Sequence, residues 1–182
     1  MALVLNNTPL DPTCNSYASI AEGDEYVATR VQVTASRTAW AALTADDKAM
    51  YLINASRALD SFFDWVGDRY SRDQGLKWPR ANAYVDGWLL DNITFPRQVI
   101  EATIEMAVWS MENSGATVVT GNAQFDSIEV GPINIDFNES SGLPARTYFP
   151  DVIVMLLKGF GNANNPDVPS AGRMRIATLV RS

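Results

Sequence analysis

Between residues 49 and 66 the apolar side chains Ala49, Met50, Leu52, Ile53, Ala55, Leu59, Phe62, Phe63 and Val66 recur at helical spacing, the strongest periodicity in the chain. Apolar residues three and four apart define an amphipathic helix whose apolar face must be covered by the rest of the molecule. Thr44 stands before the stripe as an N-cap, and Asp46 and Asp47 fall in the first turn, where the helix dipole favours anions. The pattern predicts one long helix ending at Gly67. Met50, Phe62 and Phe63 read as its core face rather than a cofactor box. Asp46 and Asp47 read as a helix start rather than a metal pair, because adjacent helical residues point in different directions.

Three other stretches can supply the cover. Ser19-Ile20-Ala21-Glu22 is a capping box, and a helix from Ile20 to Arg30 should follow it. Phe95-Pro96 opens a second, with Val99, Ile100, Thr103, Ile104, Met106, Ala107 and Met111 as its face and Asn113-Ser114-Gly115 as its end. Residues 152–158, after Phe149-Pro150-Asp151, form a third that is apolar nearly all round and should be buried in the subunit or against a partner. Residues 38–43 suggest only a short helical turn. A chain of 182 residues, 47% hydrophobic, suffices for one domain with a real core.

The patterning changes after residue 116. Ile128-Glu129-Val130 and Ile133-Asn134-Ile135-Asp136-Phe137 alternate apolar and polar about Gly131-Pro132, which predicts a β-hairpin at about 117–138. The expected fold is mainly α: a small helical bundle with an inserted β-hairpin and extended N- and C-terminal arms. Residues 1–160 would form a single domain and 161–182 an extended arm. From residue 152 onward Lys158, Arg173, Arg175 and Arg181 outweigh Asp167, so this end carries +3 against a whole-chain charge of −7.

That charge argues against a surface that grips duplex phosphates. Cys14 is the one cysteine, so no disulfide closes within the chain, and the apolar opening lacks the basic flank of a signal peptide; a cytosolic, reduced protein is expected. There is no histidine, which removes serine-histidine and cysteine-histidine catalysis and zinc sites built on cysteine and histidine. Gly159-Phe160-Gly161 lacks the third glycine of a dinucleotide loop. A carboxylate pair assembled in space stays open, but nothing positive supports an enzyme; no catalytic, cofactor or metal site is expected.

Residues 68–94 read as one long structured loop held by Tyr70, Leu76, Trp78, Tyr84, Trp88 and Leu89. Within it Leu76-Lys77-Trp78-Pro79-Arg80 places an aromatic, a proline and a planar cation side by side. The residue before proline is kept from the α region, so this piece should have a fixed shape. The structural reading makes Trp78 a core plug, Pro79 a helix stop and Arg80 the partner of a carboxylate. The functional reading stacks bases on Trp78, Tyr84 and Trp88 beside Lys77 and Arg80.

Four segments carry a resemblance: Asn15-Ser16-Tyr17-Ala18-Ser19-Ile20-Ala21-Glu22-Gly23-Asp24-Glu25-Tyr26, Leu76-Lys77-Trp78-Pro79-Arg80, Phe95-Pro96 and Val130-Gly131-Pro132-Ile133. In this order, over residues 15–157, the chain resembles the head-tail connector, or adaptor, proteins of tailed phages, some of whose relatives carry a DnaT-like single-stranded-DNA-binding label. The resemblance implies a structural virion protein of the neck, assembled in the host cytoplasm into a homo-oligomeric, dodecameric ring beneath the portal. Such a ring joins the capsid to the tail or a further neck protein and lets double-stranded DNA pass without specific binding; no membrane and no cofactor are involved. On this expectation residues 76–80 shape a subunit interface. The strand-like arm with Arg173, Arg175, Ile176, Leu179 and Arg181 docks on the portal or a neighbouring subunit. Single-stranded-DNA binding is the alternative.

Overall fold

The computed structural model describes residues 4–116, 119–121, 127–130, 133–136 and 146–163. Among them are five helices: α1 (Ile20–Arg30), α2 (Thr34–Ala42), α3 (Ala45–Phe62), α4 (Arg97–Glu112) and α5 (Asp151–Leu156). Ten short strands accompany them: β1 (Phe63–Trp65), β2 (Asp68–Arg69), β3 (Arg80–Ala81), β4 (Tyr84–Val85), β5 (Trp88–Leu89), β6 (Val119–Gly121), β7 (Ser127–Val130), β8 (Ile133–Asp136), β9 (Arg146–Tyr148) and β10 (Gly161–Ala163). They pair two by two, β1 with β10, β2 with β3, β4 with β5, β6 with β9 and β7 with β8. The fold is therefore mixed α and β rather than the mainly α bundle expected.

The chain divides into two compact units, one of Met1–Val119 with Phe149–Asn164, the other of Thr120–Tyr148 with Asn165–Ser182. In the second, the expected hairpin is present as an antiparallel pairing of Ser127 with Asp136 through Val130 with Ile133.

The first unit is built on the helix that the periodicity singles out. Thr44 accepts the Asp47 N–H at 3.2 Å and opens α3, which buries Leu52, Ile53, Ala55, Ala58 and Leu59 against α4. From α4 come Val99, Ala102, Ile104, Met106 and Ala107, so the core is an interlocked aliphatic layer between two helices. Helix α1 begins as its capping box dictates: the Ser19 hydroxyl accepts the Glu22 N–H and the Glu22 carboxylate accepts the Ser19 N–H. Tyr26 then donates to Glu105 of α4 at 2.8 Å. Helix α2 starts four residues earlier than the turn expected at 38–43 and buries Trp40, whose indole N–H donates to Asp24 at 2.8 Å. Lys48 reaches the same carboxylate, and Ser36 anchors the far end of α2 to Glu112.

Helix α3 stops at Phe62, short of Gly67, because the next residues are recruited into a strand. In β1 Phe63 and Trp65 point inward and Asp64 outward, the alternation of a half-buried strand, and β10 pairs with it from Phe63 opposite Ala163 to Trp65 opposite Gly161. Gly161–Ala163, expected as the start of the C-terminal arm, is thus part of this sheet. Phe63 stacks on Trp65 at 5.3 Å, Phe149 meets Phe63 edge-on, and Trp78 closes the cluster between Trp65 and Phe160.

Candidate functional site

The stretch from Gly67 to Thr94 is short paired strands and turns rather than one loop, and its two halves behave oppositely. In the first half the segment around Trp78 turns inward, while Tyr70 and Arg72 stay exposed. Leu76, Trp78 and Pro79 are buried, Trp78 at 1% exposure, and the Trp78–Pro79 peptide is cis. The buried Gln74 amide donates to the carbonyls of Leu76 and Pro79, and its oxygen accepts the Ser71 N–H. Arg80 was expected to meet a carboxylate; instead its guanidinium donates to the carbonyl oxygens of Val66 at 2.6 Å and Gly67 at 2.5 Å. Strand ends that turn inward leave carbonyls without ladder partners, and a partly buried guanidinium satisfies two at once. Burial lowers the Arg80 pKa, with Asp68 working against it.

Beneath this half lies a polar centre. Asp60, at the end of α3, accepts the Tyr17 hydroxyl at 2.5 Å, the Lys77 N–H at 2.9 Å and the Trp65 indole N–H at 3.2 Å. The Trp78 N–H donates to the Tyr17 oxygen at 3.2 Å. Burial raises the pKa of both Asp60 and Tyr17. Both carboxylate oxygens of Asp60 and the Tyr17 oxygen thus accept hydrogen bonds from the protein itself. Burial likewise pushes the Cys14 thiol up to about 11, the opposite of an activated nucleophile. Among the described residues no group of three or more carboxylates and thiols is placed to hold a metal ion.

The second half turns outward. Ala83 is buried, and its carbonyl accepts the Leu90 N–H at 2.9 Å, closing the base of a hairpin in which Tyr84 pairs with Leu89 and Val85 with Trp88. Asp86 and Gly87 form the turn with φ of 51° and 83°, the two positive angles of a type I′ turn. Val85 and Leu90 pack against the core, while Trp88 stands 78% exposed, Tyr84 59% and Leu89 58%. Tyr70 and Ile93 are exposed too. These residues do not hold the stretch together, as the sequence suggests; Leu76 and Trp78 alone of that set do. In this register Trp88 lies on the Val85 side of the hairpin and Tyr84 on the Leu89 side, so the two exposed rings stand on opposite faces of it.

Of the five aromatic and basic residues in the base-stacking reading, Tyr84 and Trp88 are free to act, Lys77 is partly exposed, and Trp78 and Arg80 are consumed by the fold. Asp86 lies in the hairpin's turn and Asp91 just beyond its end, Asp91 being occupied by the Ile93 N–H and the Thr94 hydroxyl. The proposed docking arm, with Arg173, Arg175, Ile176, Leu179 and Arg181, lies outside the described residues.

The first unit is thus a mixed α/β fold that displays Trp88 and Tyr84 on an exposed hairpin. Residues 1–174 match the family model described as "Putative DnaT-like ssDNA binding protein", and the chain belongs to that family. No curated protein and no solved structure matches it. The match corrects the connector expectation: it carries a single-strand-binding description, the reading held as the alternative. The net charge of −7 argues against a surface that grips phosphates. That argument applies to phosphate gripping; stacking on an aromatic face needs no cation.

Proposed function

We propose that the protein binds single-stranded DNA by stacking unpaired bases on Trp88 and Tyr84 of the β4–β5 hairpin. The observation that carries the reading is the exposure of these two rings on a turn fixed by Asp86 and Gly87, in a chain of a family described as binding single strands. Every base has a π-face, so stacking on either ring, one on each face of the hairpin, is tolerant of sequence. Lys77 and the exposed Arg72 belong to the same stretch of chain and can supply only a thin phosphate contact. The expected interaction is thus weakly salt-dependent, unlike a groove that neutralises many phosphates.

Fluorescence anisotropy of a labelled oligodeoxynucleotide, titrated with protein at several salt concentrations, tests this. Binding with a shallow salt slope, quenching of tryptophan emission and loss of both in Trp88→Ala support it. No binding at low salt, or full binding by Trp88→Ala and Tyr84→Ala together, overturns it.

A further inference from the structure

Helix α5 is the least finished surface of the first unit. Ile153 and Leu157 are buried, but Val152 and Val154 are each 43% exposed and Met155 75%, which leaves burial against a partner as the open half of the expectation for this helix. Asp151, Met155 and Lys158 stand four and three residues apart, the spacing of one helical stripe, and the Lys158 N–H donating to the Met155 carbonyl continues the turn past Leu156. Asp151 and Lys158 are both exposed. The outer face therefore runs from an acid, through apolar side chains, to a base. Beside it a shallow, mainly apolar groove lies between α5 and β10 over Phe63, with Met155 itself in its lining together with Val154, Lys158, Gly161 and Asn162.

A face with a negative end, an apolar middle and a positive end is complementary to itself when turned through 180°. We propose that this face is a homodimer interface in which α5 packs antiparallel on α5 of a second copy. Asp151 of each protomer then meets Lys158 of the other, and each Met155, at the edge of its own groove, packs near the two-fold axis against the other protomer's α5 and the edge of its groove. A two-fold axis makes each contact twice, so two modest ion pairs and two methionine knobs come from one short helix. Methionine suits such a groove because its unbranched chain adapts to irregular shape. The self-complementary charge order favours a second copy over an unrelated partner. The surface is distinct from the β4–β5 hairpin, and the inference does not depend on DNA binding.

Sedimentation equilibrium of the full chain tests it, with Asp151→Lys, Lys158→Asp and the double variant. Both sites are exposed, so folding should be preserved, and circular dichroism checks this. Each single reversal replaces two attractive pairs by two repulsive ones and should weaken dimerisation about tenfold or more; the double variant should restore it. Met155→Cys combined with Cys14→Ser should form a disulfide-linked dimer on mild oxidation. A wild-type protein that is monomeric at every concentration, its α5 face covered by its own chain or another partner, overturns the proposal. So does self-association that neither single reversal weakens.

Discussion

The Tyr17 hydroxyl donates to the Asp60 carboxylate at 2.5 Å and accepts the Trp78 backbone N–H at 3.2 Å. Tyr17 comes from the segment before α1, Asp60 from the last turn of α3, and Trp78 from the stretch beyond β2. One buried oxygen therefore ties together three parts of the chain. Ser56 adds a second tie, accepting the Tyr17 N–H at 3.0 Å while donating to Leu52.

Removing that oxygen should be felt throughout the first unit. Tyr17→Phe leaves the Trp78 N–H without its acceptor and Asp60 without one donor, and should cost about 1–3 kcal/mol, the usual penalty for orphaning a buried polar group. Urea denaturation of the two proteins measures it; unchanged stability would place the tie elsewhere.

The Asp60 carboxyl gives a pH signature. Burial raises its pKa in the folded state above the ordinary 3.8. The folded protein then holds this proton more tightly than the unfolded chain does, so protonation favours folding. The contribution is complete below the ordinary value and fades as pH rises through the folded one. The stability of wild type minus that of Asp60→Asn should accordingly fall as pH climbs from about 4 and then level off. Denaturation curves at a series of pH values decide, and a difference that grows with pH would contradict the assignment.

Trp78 is a plug among Trp65, Phe160 and the end of α3. Trp78→Ala should cost about 3–5 kcal/mol, as other large buried aromatics do. Its indole N–H has no protein acceptor among the described residues, so Trp78→Phe loses no hydrogen bond and should be clearly milder. Thermal melts of both variants give the comparison.

On the hairpin the expectation is reversed. Trp88→Ala and Tyr84→Ala should change stability by no more than about 0.5 kcal/mol, as exposed substitutions do. Each should nonetheless weaken single-strand binding by about 1–3 kcal/mol, a factor of about 5 to 150. Equal losses of stability and binding would mean that the rings are structural.

Two glycines separate conformation from space. At Gly87, with φ of 83°, an added Cβ meets nothing within 4 Å, so Gly87→Ala carries only the left-handed backbone penalty, about 1 kcal/mol. At Gly75 an added Cβ would sit 2.2 Å from the Cys14 carbonyl oxygen. Gly75→Ala must push apart two backbone segments and should be the more damaging by more than about 1 kcal/mol. Paired denaturation curves test the order.

How much of this was legible differs from element to element. The capping box at Ser19 and Glu22 located α1 to the residue, and Thr44 located the start of α3, because caps are local hydrogen bonds. The end of α3 was misread because Phe62, Phe63 and Val66 continue the helical stripe. Phe63-Asp64-Trp65 also alternates as a strand does, and pairing with β10, nearly a hundred residues on, chose the second period. The strands at 68–69, 80–81, 84–85 and 88–89 are too short to show any period. Asp86-Gly87 was the one available signal for the β4–β5 hairpin, and it marked the turn without revealing what the turn displays.

The sequence alone determined where α1 and α3 begin, through their caps, and the chemistries ruled out by having no histidine and one cysteine. Tertiary structure decided which aromatic belongs to the fold and which to the surface. Trp78 and Trp88 are the same residue type ten positions apart, yet one is 1% exposed and the other 78%. The first is drawn in because Asp60, Tyr17, Gln74 and Arg80 satisfy the backbone around it. The second sits one residue past a two-residue turn, on a strand too short to bring its ring back to the core. That difference comes from hydrogen-bond partners up to 61 positions away, and no local pattern contains it.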